Sequence, residues 1–329
     1  MHIRPAQLSD RDTMVDLLVQ DAHQRRALDP TLWKLAPDAR AQIASLISSA
    51  MEADTPPFRQ QWLLAQADGE IVGITHSILL PVPPIYAGDL GAPGLIMEDC
   101  FVSDNAPANT RAELLAAAEA DLIGAGAKIL LASSVVGGAW EADIRAQGYA
   151  PLTLYFAKVG LTPAPRINGV RHATDDDLDA IVALSATNRQ VLNDLNGLFW
   201  KPHRKADARF ELWMARSLTL ADRDMFVADD NGTIAGYAIA QPATSLHFPA
   251  AHAVSDIGFI DDYFHTGYAD PVAGVATDPA AMALLEAGEA ARGARGDDAL
   301  LVVCPADWTS KRHLLRSAGY NPAITWFTK

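Results

Sequence analysis

Apolar residues recur at helical spacing near the start of the chain, at Met14, Leu17 and Leu18, and again at Ile181, Val182 and Leu184. Each run predicts a helix with one buried stripe, because residues three to four apart share a face. An acidic turn precedes both: Ser9 or Asp10 can cap the first helix, and Asp175 to Asp177 the second. Short strands are expected just before, over 2–5 and 169–172. After a longer helical region holding Trp33 in one case and Phe199-Trp200 in the other, apolar runs flank Asp68-Gly69 and then Asn231-Gly232. Those dipeptides supply the positive φ angles of a type I′ turn, so both segments read as β-hairpins. Ala/Leu-rich helices over 111–123 and 280–291 lead into apolar strands over 129–133 and 299–303. A last helix and a hairpin close each unit.

The pattern occurs twice, and residue matches make the repeat explicit. Ile3-Arg4 matches Val170-Arg171, Asp12 matches Asp179, Val15 matches Val182 and Leu17 matches Leu184, all at a shift of 167. Gly73 matches Gly236, and Glu98-Asp99-Cys100-Phe101 matches Asp261-Asp262-Tyr263-Phe264, at 163. Leu114-Leu115 and Glu119 match Leu284-Leu285 and Glu289 at 170, so the second half carries 7 extra residues between a strand and a helix. The ends agree at 171, Gly148-Tyr149 with Gly319-Tyr320 and Lys158 with Lys329. Pro163, Pro165 and Asn168-Gly169 read as a linker, which predicts domains over 1–162 and 163–329.

Composition narrows the function classes. A chain of 329 residues that is 50% hydrophobic and 20% charged is globular and long enough for two cores. Its 26 Lys and Arg against 40 Asp and Glu give a net charge of −14, which argues against nucleic acid and anionic membrane surfaces as partners. Cys100 and Cys304 form no CxxC pair, and His76, His203, His252 and His265 show neither HxH nor HExxH spacing, so no metal is expected. Residues 1–16 carry Arg4, Asp10, Arg11 and Asp12 instead of an apolar signal core, and no apolar run reaches membrane length. A cytoplasmic location is expected.

The element order β-α-α-β-β-β-α-β-α-β, found twice, and four segments resemble the GCN5-related N-acetyltransferase (GNAT) superfamily, here as a tandem. The segments are IRPAQLSDRDTMVDLL, WLLAQADGEIVGI, EDCFVSDNAPANTRAELLAAAEADLIGAGAKILLAS and RAQGYAPLTLYFAK. The resemblance implies an α/β (α+β) fold of two GNAT-like domains, each a mixed central sheet flanked by helices. It also implies N-acetyl transfer from acetyl-CoA to an amine of a small molecule.

In that family the diphosphate of CoA sits on amides at the N-terminus of the helix after the central strand, where the dipole favours an anion. Carried over to the first half, this assigns Phe101, Val102, Ala108, Asn109, Thr110, Arg111 and Ala112 to cofactor binding. The family loop Gln/Arg-x-x-Gly-x-Gly/Ala is absent, since SDNAPANTRAE over 103–113 has no glycine. Thr110 to Glu113 reads equally as a capping box that needs no ligand. In the second half Pro271 and the insertion disturb the loop. Asp278 followed by Pro279 reads as an acidic N-cap that repels phosphate, so the first half is expected to hold the cofactor.

The family's general base is a carboxylate on the central strands, which points to Glu98 and Asp99. Neighbouring strand residues face opposite sides, so one of the pair faces the cleft, and Glu98 has the longer reach. A hydrogen-bonded strand-end carboxylate is the competing reading. The family's tyrosine acid is replaced by Ile144 and Leu315, while Cys100 reads as a structural thiol. Trp33 and Trp200 read as core residues or as lining of the acceptor site. A degenerate, non-catalytic ligand-binding protein is the alternative to an enzyme, and a homodimer is compatible with either.

Overall fold

The structure, a computed structural model, describes residues 1–53, 55–161, 169–244, 248–272 and 278–329. The expected domain junction at 162/163 and Gly274 lie outside these residues. The first half runs β1 (His2–Pro5), α1 (Arg11–Leu28), α2 (Ala39–Glu52), β2 (Gln60–Ala67), β3 (Glu70–Leu79), β4 (Gly94–Ile96) and β5 (Phe101–Val102). It continues with α3 (Thr110–Gly124), β6 (Leu130–Val135), α4 (Glu141–Ala146) and β7 (Ala150–Val159). The second half repeats the order with β8 (Val170–His172), α5 (Leu178–Leu195), α6 (Ala206–Leu218), β9 (Asp224–Asp230), β10 (Thr233–Pro242) and β11 (Ile257–His265). It ends with α7 (Pro279–Ala294), β12 (Ala299–Pro305), α8 (Thr309–Ser317) and β13 (Asn321–Thr328).

Both hairpin turns form as the dipeptides require, with φ of 51° and 87° at Asp68-Gly69 and 52° and 89° at Asn231-Gly232. Asp278 caps α7 through the amides of Ala280 (2.8 Å) and Ala281 (3.2 Å), with proline at the first helical position. Asp278→Ala is expected to cost about 1 kcal/mol. The measurement is a lower urea midpoint at unchanged m.

A single strand, not the expected hairpin, closes each half, and it closes the sheet of the other half. The strand order is β1-β2-β3-β4-β6-β13-β7-β12-β11-β10-β9-β8, with β5 paired to β3. Thus β13 runs antiparallel to β6, β7 runs antiparallel to β12, and β7 and β13 pair with each other. Strand exchange carries core residues across. Phe156 of β7 is packed in the second half's core beside Ile260 and Val302, and Phe327 of β13 in the first half's core beside Leu114 and Tyr149. The tryptophans cross in the same way: Trp33 packs with Phe248, Phe259 and Leu301, and Trp200 with Ile78, Leu95 and Leu131. The two repeats therefore share one continuous sheet.

Candidate functional site

The central strand of the first half is interrupted where β4 pairs Ser77 with Ile96 and β5 pairs Ile74 with Phe101. Between these pairs residues 97–100 oppose only Thr75 and His76, a bulge that takes residues 98–100 out of the ladder and re-aims their side chains. Glu98 consequently lies on the wall of a cavity of about 290 Å³ that opens beyond the last β4–β6 pair and is bordered by β5, the end of β6 and α1. Glu98 is only 8% exposed. Burial and the charge of Asp99 push its carboxyl above the usual carboxylate range, with Ser133 and Arg25 opposing.

Asp99 takes a different role. Both its oxygens lie 3.0 Å from His76 Nδ1, and His76 Nε2 lies 3.2 Å from the Gln60 side-chain oxygen. The His76 ring is stacked on Trp62, centroids 3.8 Å apart at 4°. Asp99 is thus held by hydrogen bonds within the fold and does not line the cavity, whereas Glu98 does. The competing reading of a tied strand-end carboxylate describes the second member of the pair. His76, set aside in the sequence for want of a metal pattern, is its partner.

Helix α1 supplies two groups that the sequence reading treated only as part of a packing helix. Asp21 and Arg25, one turn apart, form a buried ion pair and both line the cavity. Burial pushes Asp21 up to about 7, Arg25 opposing and Asp99 and Glu98 adding to the shift. Arg25 Nε and Nη1 have no hydrogen-bond partner among the described residues. Charged residues on the otherwise apolar buried stripe of α1 were the available signal.

Of the residues assigned to the cofactor, Phe101, Val102 and Arg111 line the cavity, while Ala108, Asn109, Thr110 and Ala112 lie outside its wall. Arg111 donates to Asp143 at 2.7 Å. The Thr110–Glu113 capping box is not formed. Thr110 donates its amide and its hydroxyl to Pro107 O, at 3.0 and 2.7 Å, and the Glu113 carboxylate accepts from Asn109. Gly137 and Gly138 also line the cavity. Gly137 has φ +80°, and a Cβ on Gly138 would lie 2.8 Å from the Val135 carbonyl oxygen, so neither tolerates a side chain here.

The other candidates are packing residues. Ile144 and Leu315 are buried in the cores of the first and second halves. Cys100 sits 3.2 Å from Thr75 Oγ1 and donates to Met97 O, and burial pushes its thiol up, which keeps it protonated. Tyr149 lies under Lys329, and Tyr155 is packed between Phe259 and Trp326.

At the matching place in the second half the space is filled. Trp308, 0% exposed, stands where the first half has Gly137-Gly138. Its indole donates to Tyr268 O at 2.9 Å and its ring lies against Tyr268 and Phe264, the residue that matches Phe101. Two further contacts are shared by the repeats: Trp140 donates to Cys100 O at 3.0 Å, and Lys311 donates to the matching Tyr263 O at 2.8 Å.

No family model matches the chain, and no curated protein matches it in sequence. Solved structures do match. A GCN5-related N-acetyltransferase from Sphaerobacter thermophilus superposes with a TM-score of 0.58 at 14% identity, over 100% of this chain and 95% of that one. A GCN5-related glucosamine N-acetyltransferase region of a fungal multi-domain GH3 β-N-acetylglucosaminidase superposes at 0.50 and 12%, over 99% of this chain and 38% of that one. A tandem GNAT protein from the clavulanic acid biosynthesis pathway superposes at 0.47 and 15%, over 100% and 98%. At such identities the likeness is one of architecture, and with the internal repeat seen above it means that this chain carries the GCN5-related N-acetyltransferase fold twice, in tandem.

Proposed function

We propose that the chain transfers the acetyl group of acetyl-CoA to an amine of a small molecule, and that it does so in the first half. The observation that carries this reading is the contrast between the two clefts: an open cavity bordered by Glu98 and the glycines at 137–138, and its counterpart filled by Trp308 and Tyr268. The first cleft fits the donor in kind, with side-chain-free backbone and the Arg111 guanidinium on its wall. Phe101, Val102 and Arg111 would hold acetyl-CoA there. Acetyl-CoA supplies an acyl carbon activated by its thioester, to which the amine nitrogen bonds as the thiolate leaves.

Glu98 does the proton work in this reading. An amine attacks only when uncharged, and a carboxylate whose pKa is raised by burial is a better proton acceptor near neutrality than an ordinary one. Asp99 and His76, tied to each other and to Gln60 and Trp62, hold the bulge that aims Glu98. The net charge of −14 favours a cationic acceptor and a cytoplasmic setting is part of the proposal. A binding protein without turnover is the second reading, favoured by the filled second cleft and the glycine-free loop.

CoA titration tests the proposal. At 100 times its dissociation constant CoA should add about 2.7 kcal/mol of stability, seen as a rise in melting temperature. Arg111→Ala is expected to weaken CoA about tenfold by removing a charged hydrogen-bond donor. No stabilisation by a large excess of CoA would reject the first cleft as its site. Turnover across an amine panel separates the enzyme from the binding protein.

A further inference from the structure

Helix α1 turns one face toward the 290 Å³ cavity. Asp21, Gln24, Arg25 and Leu28 stand on its wall, at the three- and four-residue spacing that lines up one side of a helix. Arg25 is unusual there, being only 4% exposed, because cationic side chains are seldom buried so far. Its Nη2 is engaged, donating to Asp21. Its Nε and Nη1 have no hydrogen-bond partner among the described residues. Guanidinium nitrogens only donate, and a charged donor buried without an acceptor is costly.

The neighbouring charges leave those donors open. Among the described residues Arg25 forms an ion pair with Asp21 alone. Glu98 feels the Arg25 charge without bonding to it, and Asp99 is held by His76. His252, brought in by the second half, donates or accepts at Trp33 O, 3.1 Å away, and no hydrogen bond joins it to Arg25. Burial and then the Arg25 charge push the His252 imidazole down to about 3, so it is neutral. Arg111, the second guanidinium on the wall, donates to Asp143, which lies off the wall. The wall thus carries two acids, Asp21 and Glu98, and two guanidinium groups, of which Arg25 keeps buried donors unmet.

We infer that Arg25 is a specificity-determining residue that takes a carboxylate group of the substrate, an inference that rests on the transferase reading of this cleft. A carboxylate supplies both the acceptor oxygens and the negative charge that the open donors lack. The group has two chemical sources. An acceptor amine can carry it, in which case the amine end goes to Glu98 and the carboxylate end to Arg25. The acyl group can carry it instead, as the monothioester of a dicarboxylic acid with CoA. Leu28, Ile96 and Trp140 provide apolar wall for the carbon skeleton in either case.

Matched pairs test the assignment. Calorimetric titration of the full chain saturated with CoA compares β-alanine with propylamine, and phenylalanine with phenethylamine. Turnover compares succinyl-CoA with butyryl-CoA as donors to propylamine. A preference of about tenfold or more for the carboxylated partner is expected in one arm, and that arm identifies the source. Arg25→Gln alone leaves Asp21 buried without its partner, so Asp21→Asn/Arg25→Gln removes the pair together. The preference should vanish in that double variant, its fold checked by a cooperative melt and by stabilisation with CoA. Asp21→Asn alone frees the guanidinium and should increase the preference, which decides the matter where the double variant does not fold. Stabilisation by CoA with no carboxylate preference in either arm, or a preference that survives in the double variant, would overturn this assignment alone. Absence of CoA stabilisation would overturn the transferase reading with it.

Discussion

Glu98→Gln is expected to lower kcat by about 10² to 10⁴-fold while stabilisation by CoA is unchanged. The substitution keeps the shape of the side chain in the 290 Å³ cavity and removes only its ability to accept a proton. The pH profile carries the sharper information. A base must be ionised to work, and burial with Asp99 alongside places the Glu98 carboxyl above the ordinary range, so kcat/KM should fall with decreasing pH through that elevated value. The acid limb should vanish in Glu98→Gln.

Stability should move the opposite way. A carboxyl whose folded pKa exceeds its unfolded one binds protons preferentially in the folded state, so stability falls as pH rises between the two values. Ionised Glu98 is therefore a stability cost at neutral pH, and the glutamine variant should melt no lower than the parent there. Loss of activity with a retained melting temperature separates a lost base from a misfolded site. An unchanged profile would transfer the role elsewhere, with Asp21 the next group to test, since burial holds it near 7 on the same cavity.

Phe327→Ala is expected to cost about 3 to 5 kcal/mol, and to be felt most in the half to which Phe327 does not belong. The residue is the penultimate one of β13, is 0% exposed, and packs with Leu114, Leu115, Ile144 and Tyr149 of the first half. Its backbone pairs with Ala132 of β6, the strand whose end borders the 290 Å³ cavity. Hydrogen exchange should accordingly show α3 and β6 losing protection more than α7, and CoA stabilisation should decline with it. Loss confined to α7 and β12 would contradict the strand exchange.

The hairpins, the long helices and the duplication were legible because each is a local signal. Asp68-Gly69 and Asn231-Gly232 must turn with positive φ wherever they sit, and the stripe at Met14, Leu17 and Leu18 buries one face in any context. Glu98 was legible as a carboxylate at the end of a central strand. Which of Glu98 and Asp99 faces the cavity was not, because it depends on a bulge that exists only as a mismatch with β3. His76 as the partner of Asp99, 23 residues away, and Asp21 with Arg25 on α1 were invisible for the same reason. The misread capping box at Thr110 shows how a four-residue motif yields to its surroundings once Pro107 O is within reach of the Thr110 hydroxyl.

What the sequence by itself determined is therefore the content of each repeat: which segments are strands and helices, where they turn, and that the set occurs twice. Periodicity and turn chemistry act over a few residues, and the chain carries them wherever it folds. Tertiary structure alone decided which half completes which sheet, which cleft stays open and which carboxylate faces it. Those outcomes rest on strand pairs and packing between residues far apart in the chain, where Trp308 can fill a space that Gly137 and Gly138 leave free, and no local pattern records who the distant neighbour will be.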